Sequence, residues 1–302
     1  MEVNTKLNLK NDVIFQAFFA KKGNEIFLID FLEALLKIRI NKIEIKEEVT
    51  VEKLSKFEKG GRIDIQATLN DGIIANIEMQ RTYQKGFEIR TVFYASKEIA
   101  RGTKAGTKYE DMNKTIMINI LGENMFPEKF DEYIQKSAIV LEKHREYIIT
   151  DIVEWYFIEL PKFRKHHPNM DEKINQWLVF IDDEDKELVN MAVEKNKVIK
   201  KAQDEVNNLT GDPELQRLAE LQEKWAWDEQ FFKMMAIKEG KKQGRKEGRK
   251  EGRKEGRKEG RKEGAIESKK HIAKKLIRKG MSIEEISDIT GLTKEEIENL
   301  ND

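Results

Sequence analysis

The chain has 302 residues, 39% of them hydrophobic and 37% charged, with 56 Lys and Arg balanced by 56 Asp and Glu. That length holds one large domain plus an appendage, and the excess charge implies long solvated helices. There is no cysteine, which excludes a disulfide framework and a Cys-based zinc site.

The charge is unevenly spread. Residues 240–302 carry 19 Lys and Arg against 13 Asp and Glu, a net of +6, on a body of net −6. A basic tail on an acidic body suits a DNA-contacting arm or a solvated helix. The opening MEVNTKLNLKND has no apolar signal-like region, and no run approaches 18 apolar residues. The expectation is therefore a soluble, cytoplasmic protein with no membrane partner.

In chain order, residues 11–38 read as a helix with a break near Gly23. Phe15, Phe18, Phe19, Phe27, Leu28 and Phe31 recur at helical spacing. Asn11 or Asp12 supplies its N-cap. Residues 42–52 alternate as a first strand would.

The stretch from Gly61 to Gln80 reads as a β-hairpin. Asn70-Asp71-Gly72 is the turn, with Gly72 where a three-residue loop needs a left-handed residue. Counting outward pairs Leu69 with Ile73, Ala67 with Ala75, Ile65 with Ile77 and Asp64 with Glu78. Because side chains alternate, one face is apolar and the other carries Asp64, Gln66, Asn76, Glu78 and Gln80. Two carboxylates directly opposite each other repel. A divalent cation between them turns repulsion into coordination, since hard cations take oxygen ligands. A shift of register by one residue would place Asp64 against Met79 and dissolve the site.

Residues 84–101 form the next predicted helix, with Arg90, Tyr94 and Lys97 on one face. Thr115–Leu121 is a buried strand. Two more strands are predicted around Ile134–Glu142 and Tyr147–Leu160, with Pro161 and Pro168 ending the region. His166 and His167 lack a third ligand at a sensible spacing and read as surface loop. Residues 171–238 read as a helical hairpin broken at Gly211-Asp212-Pro213. Trp225, Trp227, Phe231, Phe232 and Met235 are expected to pack on the core, or else to stack bases.

From Gly240 to Gly264 a glycine recurs every fourth residue, and Gly-Arg-Lys-Glu is the unit. Each Gly costs about 1 kcal/mol relative to Ala, so the predicted helix is marginal. It could neutralise phosphates or act as a solvated spacer. The coda holds three short helices, with Ser282/Glu285 and Thr293/Glu296 as capping boxes. It resembles a minimal helix-turn-helix whose last helix is acidic, and it reads as an interaction module or a DNA reader.

Asp64 followed by Glu78-Met79-Gln80 resembles the PD-(D/E)XK nuclease superfamily. The branch it resembles most is that of recombination-promoting nucleases and putative transposases, where Gln replaces the usual Lys. Asn11-Asp12-Val13-Ile14-Phe15 resembles that branch's N-terminal signature, and Arg90 with Tyr94 resembles its Arg-x-x-x-Tyr. Ile63 stands where the superfamily has Pro.

The resemblance covers about residues 8–240. It implies an α/β fold, a restriction-endonuclease-like mixed sheet flanked by helices, with the site at one edge and a helical C-terminal region following. It also implies a DNA endonuclease in which Asp64 and Glu78 hold Mg²⁺ (Mn²⁺ or Ca²⁺ as substitutes) and Gln80 orients water or a phosphate oxygen. Arg90 would reach the phosphate or Glu78, and Asp12 would add an acidic group near the metal. No small-molecule cofactor is implied.

The expected division is a nuclease core over 1–170, a helical hairpin over 171–239, a repeat helix or linker over 240–264 and a small helical module over 265–302. The helices of 171–238 are the expected surface for a homodimer. The alternative is a non-catalytic DNA-binding or scaffolding protein on a degenerate nuclease fold.

Overall fold

The computed structural model describes residues 7–46, 65–70, 72–103 and 106–300. They fall into two compact units, residues 1–227 and 228–302. Asp64, Ile63 and Asp71 lie outside the described residues.

The first unit is built on a six-stranded mixed sheet. Its strands are β1 (Ile43–Ile45), β2 (Ile65–Leu69), β3 (Ile73–Gln80), β4 (Thr115–Leu121), β5 (Ile134–Val140) and β6 (Ile148–Glu159), in the order β1-β2-β3-β4-β6-β5. The β2–β3 hairpin has the register read from the turn, with Ile65 opposite Ile77, Ala67 opposite Ala75 and Leu69 opposite Ile73. Asn70 and Gly72 both take positive φ, 45° and 110°. The Asn70 amide also receives the backbone N–H groups of Asn41 and Lys42 and donates to the Arg39 carbonyl, which pins the start of β1 against the turn.

One expectation needs correcting. β3 is not at an edge, because β2 flanks it on one side and β4 on the other. The helix after β3, α3 (Phe87–Gly102), is a crossover that returns the chain parallel, and β4 then pairs with β3. Such a connection adds a strand on the far side of β3 and moves it inside the sheet.

Each sheet face has its own cover. Ile65, Ala67, Ile77, Ile118 and Ile158 join a large core with α1 (Asp12–Phe19) and α2 (Glu25–Leu36). On the opposite face α3 seals the sheet, Ala95 meeting Met117 and Val153, and Phe87 meeting Leu121 and Phe157. The break between α1 and α2 falls at Gly23, φ 94°, and Asn11 is the residue that caps α1, accepting from the N–H groups of Val13 and Ile14.

Pro161 opens a short helix, α4 (Leu160–Lys165), instead of ending the region; a first-turn proline loses no helical hydrogen bond. Residues 171–238 are not one hairpin. They form α5 (Lys173–Asp182), α6 (Lys186–Lys195), α7 (Lys197–Gly211) and the start of α8 (Pro213–Ile277). The extra breaks come from local caps. Asp183 takes the left-handed conformation, Asp185 caps α6 and Asn196 caps α7 through their side chains. These caps satisfy the orphan N–H groups of each new helix, so the apolar periodicity runs on while the backbone turns.

Trp225 and Trp227, expected to pack on the core, are each more than half exposed, as are Phe231 and Phe232 in the second unit. The second unit ends in a small cluster of Ala273, Ile286, Leu292 and Ile297 formed by the end of α8 with α9 (Ile283–Thr290) and α10 (Lys294–Glu298). Both predicted capping boxes are present, whereas Ile289 faces solvent at 59% exposure. Among the described residues no helix is long and apolar enough to cross a membrane.

A buried ion pair fixes the loop after β4. Glu159 is fully buried and Lys162 nearly so, with Nζ 2.6 Å from Oε2. The other carboxylate oxygen, Oε1, accepts from the N–H groups of Met125 and Phe126 at 2.6 and 2.9 Å, and Lys162 also donates to the Pro127 carbonyl. Removing one member of such a pair strands the other charge in the core. Lys162→Met should therefore cost about 3–5 kcal/mol in urea unfolding; a loss below about 1 kcal/mol would show that the pair does not hold the loop.

Candidate active site

The site forms where β3 hands over to α3. Asn76, Glu78 and Gln80 alternate with Ile77 and Met79, so their side chains share the sheet face that α3 covers. Glu78 is only 5% exposed and lies in register with Asn119 of β4. A carboxylate in that position needs a cation or several donors.

Arg90 supplies a cation. Its Nη2 donates to Glu78 Oε1 at 2.6 Å and to Gln80 Oε1 at 2.5 Å, and its Nη1 donates to Gln84 Oε1 at 3.0 Å. The guanidinium carbon sits 4.6 Å from the centre of the Phe87 ring, within cation–π range. Phe87 is itself anchored between Leu121 and Phe157. One helical turn separates Phe87 from Arg90, so anchoring the first turn of α3 aims the guanidinium back at β3. Among the described residues Arg90 Nε is buried without a hydrogen-bond partner.

The turn between β3 and α3 is tied down residue by residue. Gln80 Nε2 donates to the Thr82 carbonyl at 2.7 Å, so its amide is held at both ends. The Tyr83 N–H donates to Glu123 at 2.8 Å. The Tyr83 hydroxyl donates to Glu88 at 2.6 Å; this bond holds the tyrosine pKa above its ordinary value and the glutamate pKa below its own. Gly86, φ 87°, starts α3 in a left-handed conformation that a side chain would strain.

Asp12 sits at the first turn of α1, its Oδ2 accepting from Gln222 Nε2 at 3.0 Å. Its neighbour Asn11 and the post-strand Arg81 both donate to Glu223 Oε1, at 3.3 and 3.0 Å. A polar relay thus links the start of α1 to the residue after Gln80.

Of the residues singled out by sequence, Glu78, Gln80 and Arg90 converge, whereas Asp12 is bonded to Gln222, next to the Glu223 that Asn11 and Arg81 share. Tyr94 instead packs against Ala95, Met117 and Val153, and Lys97 is exposed. Sequence reading did not single out Gln84 and Phe87. Their spacings of six and three residues before Arg90 were the available signal. Asn119 was also missed, because only the β3–β4 register reveals it.

A family model described as PD-(D/E)XK nuclease family transposase matches residues 9–236. The chain belongs to this family. No curated protein and no solved structure gives a significant match. Membership agrees with the mixed α/β sheet, and it suggests a nuclease-like function.

The donors gathered at the end of β3 are oxygens, the Glu78 carboxylate and the Gln80 amide. Among the described residues no cluster of three or more His, Asp or Glu is present that could hold a metal by itself. The set nevertheless fits Mg²⁺, which is commonly held by one or two carboxylates together with substrate phosphates and water.

Close backbone packing sets the end of β3. Gly122 N donates to the Gln80 carbonyl at 2.9 Å, and a Cβ at Gly122 would lie 2.5 Å from the Arg81 carbonyl oxygen. Gly122→Ala should push these strand ends apart and cost about 1–3 kcal/mol in urea unfolding. Gly102→Ala, where an added Cβ meets only Ile74 at 3.8 Å, should stay within about 0.5 kcal/mol of the parent; equal effects at the two positions would refute the packing argument.

Proposed function

We propose that this protein is a divalent-metal-dependent DNA endonuclease that hydrolyses phosphodiester bonds. The observation that carries the reading is the convergence of Glu78, Gln80 and Arg90 on one face of β3. The hairpin register, followed through Ile65 opposite Ile77, is the one the metal reading requires of the next pair outward. In this reading Asp64 and Glu78 hold Mg²⁺, with Mn²⁺ or Ca²⁺ as substitutes. The metal supplies an activated water and neutralises charge on the phosphate.

The protein's own residues do the rest. Gln80, clamped by Arg90 and Thr82, is a rigid amide that can orient water or a phosphate oxygen without adding charge. Arg90 adds the charge that a Lys at position 80 would have given. Among the described residues its buried Nε has no partner, and a phosphate oxygen that reached it could accept this one N–H. Asn11 and Arg81 meet on Glu223, and Asp12, bonded to the adjacent Gln222, would add its acidic group beside them. Two chains acting together through residues 171–238 belong to the same proposal, since cutting a duplex takes two cuts.

Plasmid nicking in Mg²⁺, Mn²⁺ or Ca²⁺ tests the activity. Asp64→Ala and Glu78→Ala should each lower the rate by more than about 100-fold, as removal of a charge-stabilising group does; cleavage that survives both substitutions removes the assignment.

A second measurement concerns Arg90. It already holds the Glu78 oxygen that a metal would take, so guanidinium and metal compete for that atom. Arg90→Gln should tighten Mn²⁺ binding several-fold in calorimetry while slowing cleavage. Weaker metal binding in that variant would mean that Arg90 supports the metal rather than competing with it.

A further inference from the structure

The second unit contains a charge distribution that the metal chemistry does not use. From residue 241 to 277, α8 carries sixteen Lys and Arg and six Glu, a net of +10. At 1.5 Å per residue this segment is about 55 Å long, and each Gly-Arg-Lys-Glu repeat adds one net positive charge per about 6 Å. The short helices beyond it have the opposite sign. α9 and α10 hold Glu284, Glu285, Asp288, Glu295, Glu296 and Glu298 against the one cation Lys294. The formal net of +6 for the tail therefore hides a strongly basic rod with an acidic end.

Three observations narrow what this rod can bind. Every residue from 238 to 270 is exposed. A Cβ built on each of the repeat glycines, Gly240 to Gly264, meets nothing within 4 Å, so these glycines do not serve close packing within the chain. No apolar side chain occurs between 241 and 264. A helix lying in a membrane surface needs an apolar face to bury, and a coiled coil needs an apolar seam. This segment has neither. A four-residue repeat advances about 40° per unit on a 3.6-residue helix, so the charge winds around the axis and no single side is favoured. The complement to such a rod is a long, uniformly charged polyanion. Duplex DNA carries one negative charge per about 1.7 Å of its axis.

We infer that the repeat segment of α8, residues 241 to 264, binds the phosphate backbone of duplex DNA without reading its sequence. The acidic α9 and α10 do not take part; their charge opposes insertion of the last helix into a groove, which is where a helix-turn-helix would read bases. The choice of DNA over other polyanions rests on the proposed endonuclease activity, whereas the electrostatic argument does not.

The test uses the full chain with Glu78→Gln, in EDTA, so that no cutting intervenes. Binding of a labelled 30-base-pair duplex is followed by fluorescence anisotropy from 50 to 400 mM salt. Two variants are compared with this parent. One replaces Arg249, Lys250, Arg253, Lys254, Arg257 and Lys258 with Gln, and the other replaces Glu251, Glu255 and Glu259 with Gln. Gln has nearly the helix propensity of Arg, Lys and Glu, so both variants keep the helix, which circular dichroism verifies.

Removing the six cations should weaken binding more than about 100-fold at 50 mM salt and flatten the slope of log K against log salt by about 5. Removing the three glutamates should tighten binding. Scrambling the duplex sequence should change affinity less than about threefold. If both variants bind as the parent does, or if anionic vesicles or duplex RNA compete more than tenfold better than duplex DNA, the inference is overturned. Because the test needs no metal and no cleavage, an inactive metal site leaves its outcome unaffected, and a failed rod leaves the nicking assay intact.

Discussion

A carboxylate buried in the interior of a sheet constrains everything around it. Glu78 is nearly inaccessible, and transferring an unpaired carboxylate from water into such a place costs several kcal/mol. The fold meets this cost with the guanidinium of Arg90, at 2.6 Å. That guanidinium in turn must be held. Phe87 under its plane and Gln84 at its edge hold it from the helix side, and Gln80 receives it on the strand side. The position of α3 over the sheet, the tight turn at residues 81–86 and the close approach of Gly122 to Arg81 all serve to place one cation beside one anion. The apolar strand neighbours of Glu78, Ile77 and Met79, face the other side of the sheet, while Asn76 and Gln80 share its face, so Arg90 is what balances its charge there.

Part of this was readable from residues alone because it is governed by short-range rules. The turn at residues 70–72 sets the register of the β2–β3 hairpin, and alternation then sorts Glu78 and Gln80 onto one face. The two capping boxes near the end of the chain and the break at Gly23 are equally local. What could not be read depends on distant parts of the chain. Whether β3 is an edge or an interior strand is decided by where β4 returns, more than thirty residues later. The pairing of Glu78 with Asn119 follows from the same event. The breaks at Asp183 and Asn196 were local and still passed unnoticed, because apolar residues on both sides keep the helical period and conceal the caps. Trp225 and Trp227 read as part of an apolar stripe suited to the core, yet an aromatic residue on a helix does not say which way it points.

Glutamine at position 80 alters how the site divides its work. A lysine there would bring its own charge and titrate; an amide brings two fixed dipoles and no charge. The structure uses both ends of the amide, Oε1 on Arg90 and Nε2 on the Thr82 carbonyl. The positive charge has moved from the strand to the helix, ten residues on. Arginine stays protonated at any pH the protein meets, so this arrangement gives up proton transfer at that position and keeps electrostatic stabilisation. In the proposed endonuclease, acid–base work would then fall to water or to the carboxylates.

The two units handle negative charge in different ways. In the first, one arginine is buried beside one glutamate, and a displacement of an ångström would matter because the local dielectric is low. In the second, the sixteen cations between residues 241 and 277 stand in water, each weakly and interchangeably attractive, and salt screens them within about 10 Å. The first arrangement discriminates by geometry and tolerates little change. The second discriminates only by charge density, so repeats can be added or lost with a graded effect. This difference explains why the core sequence is irregular, each residue answering to a particular neighbour, while the tail is a repeat in which any unit can stand for another.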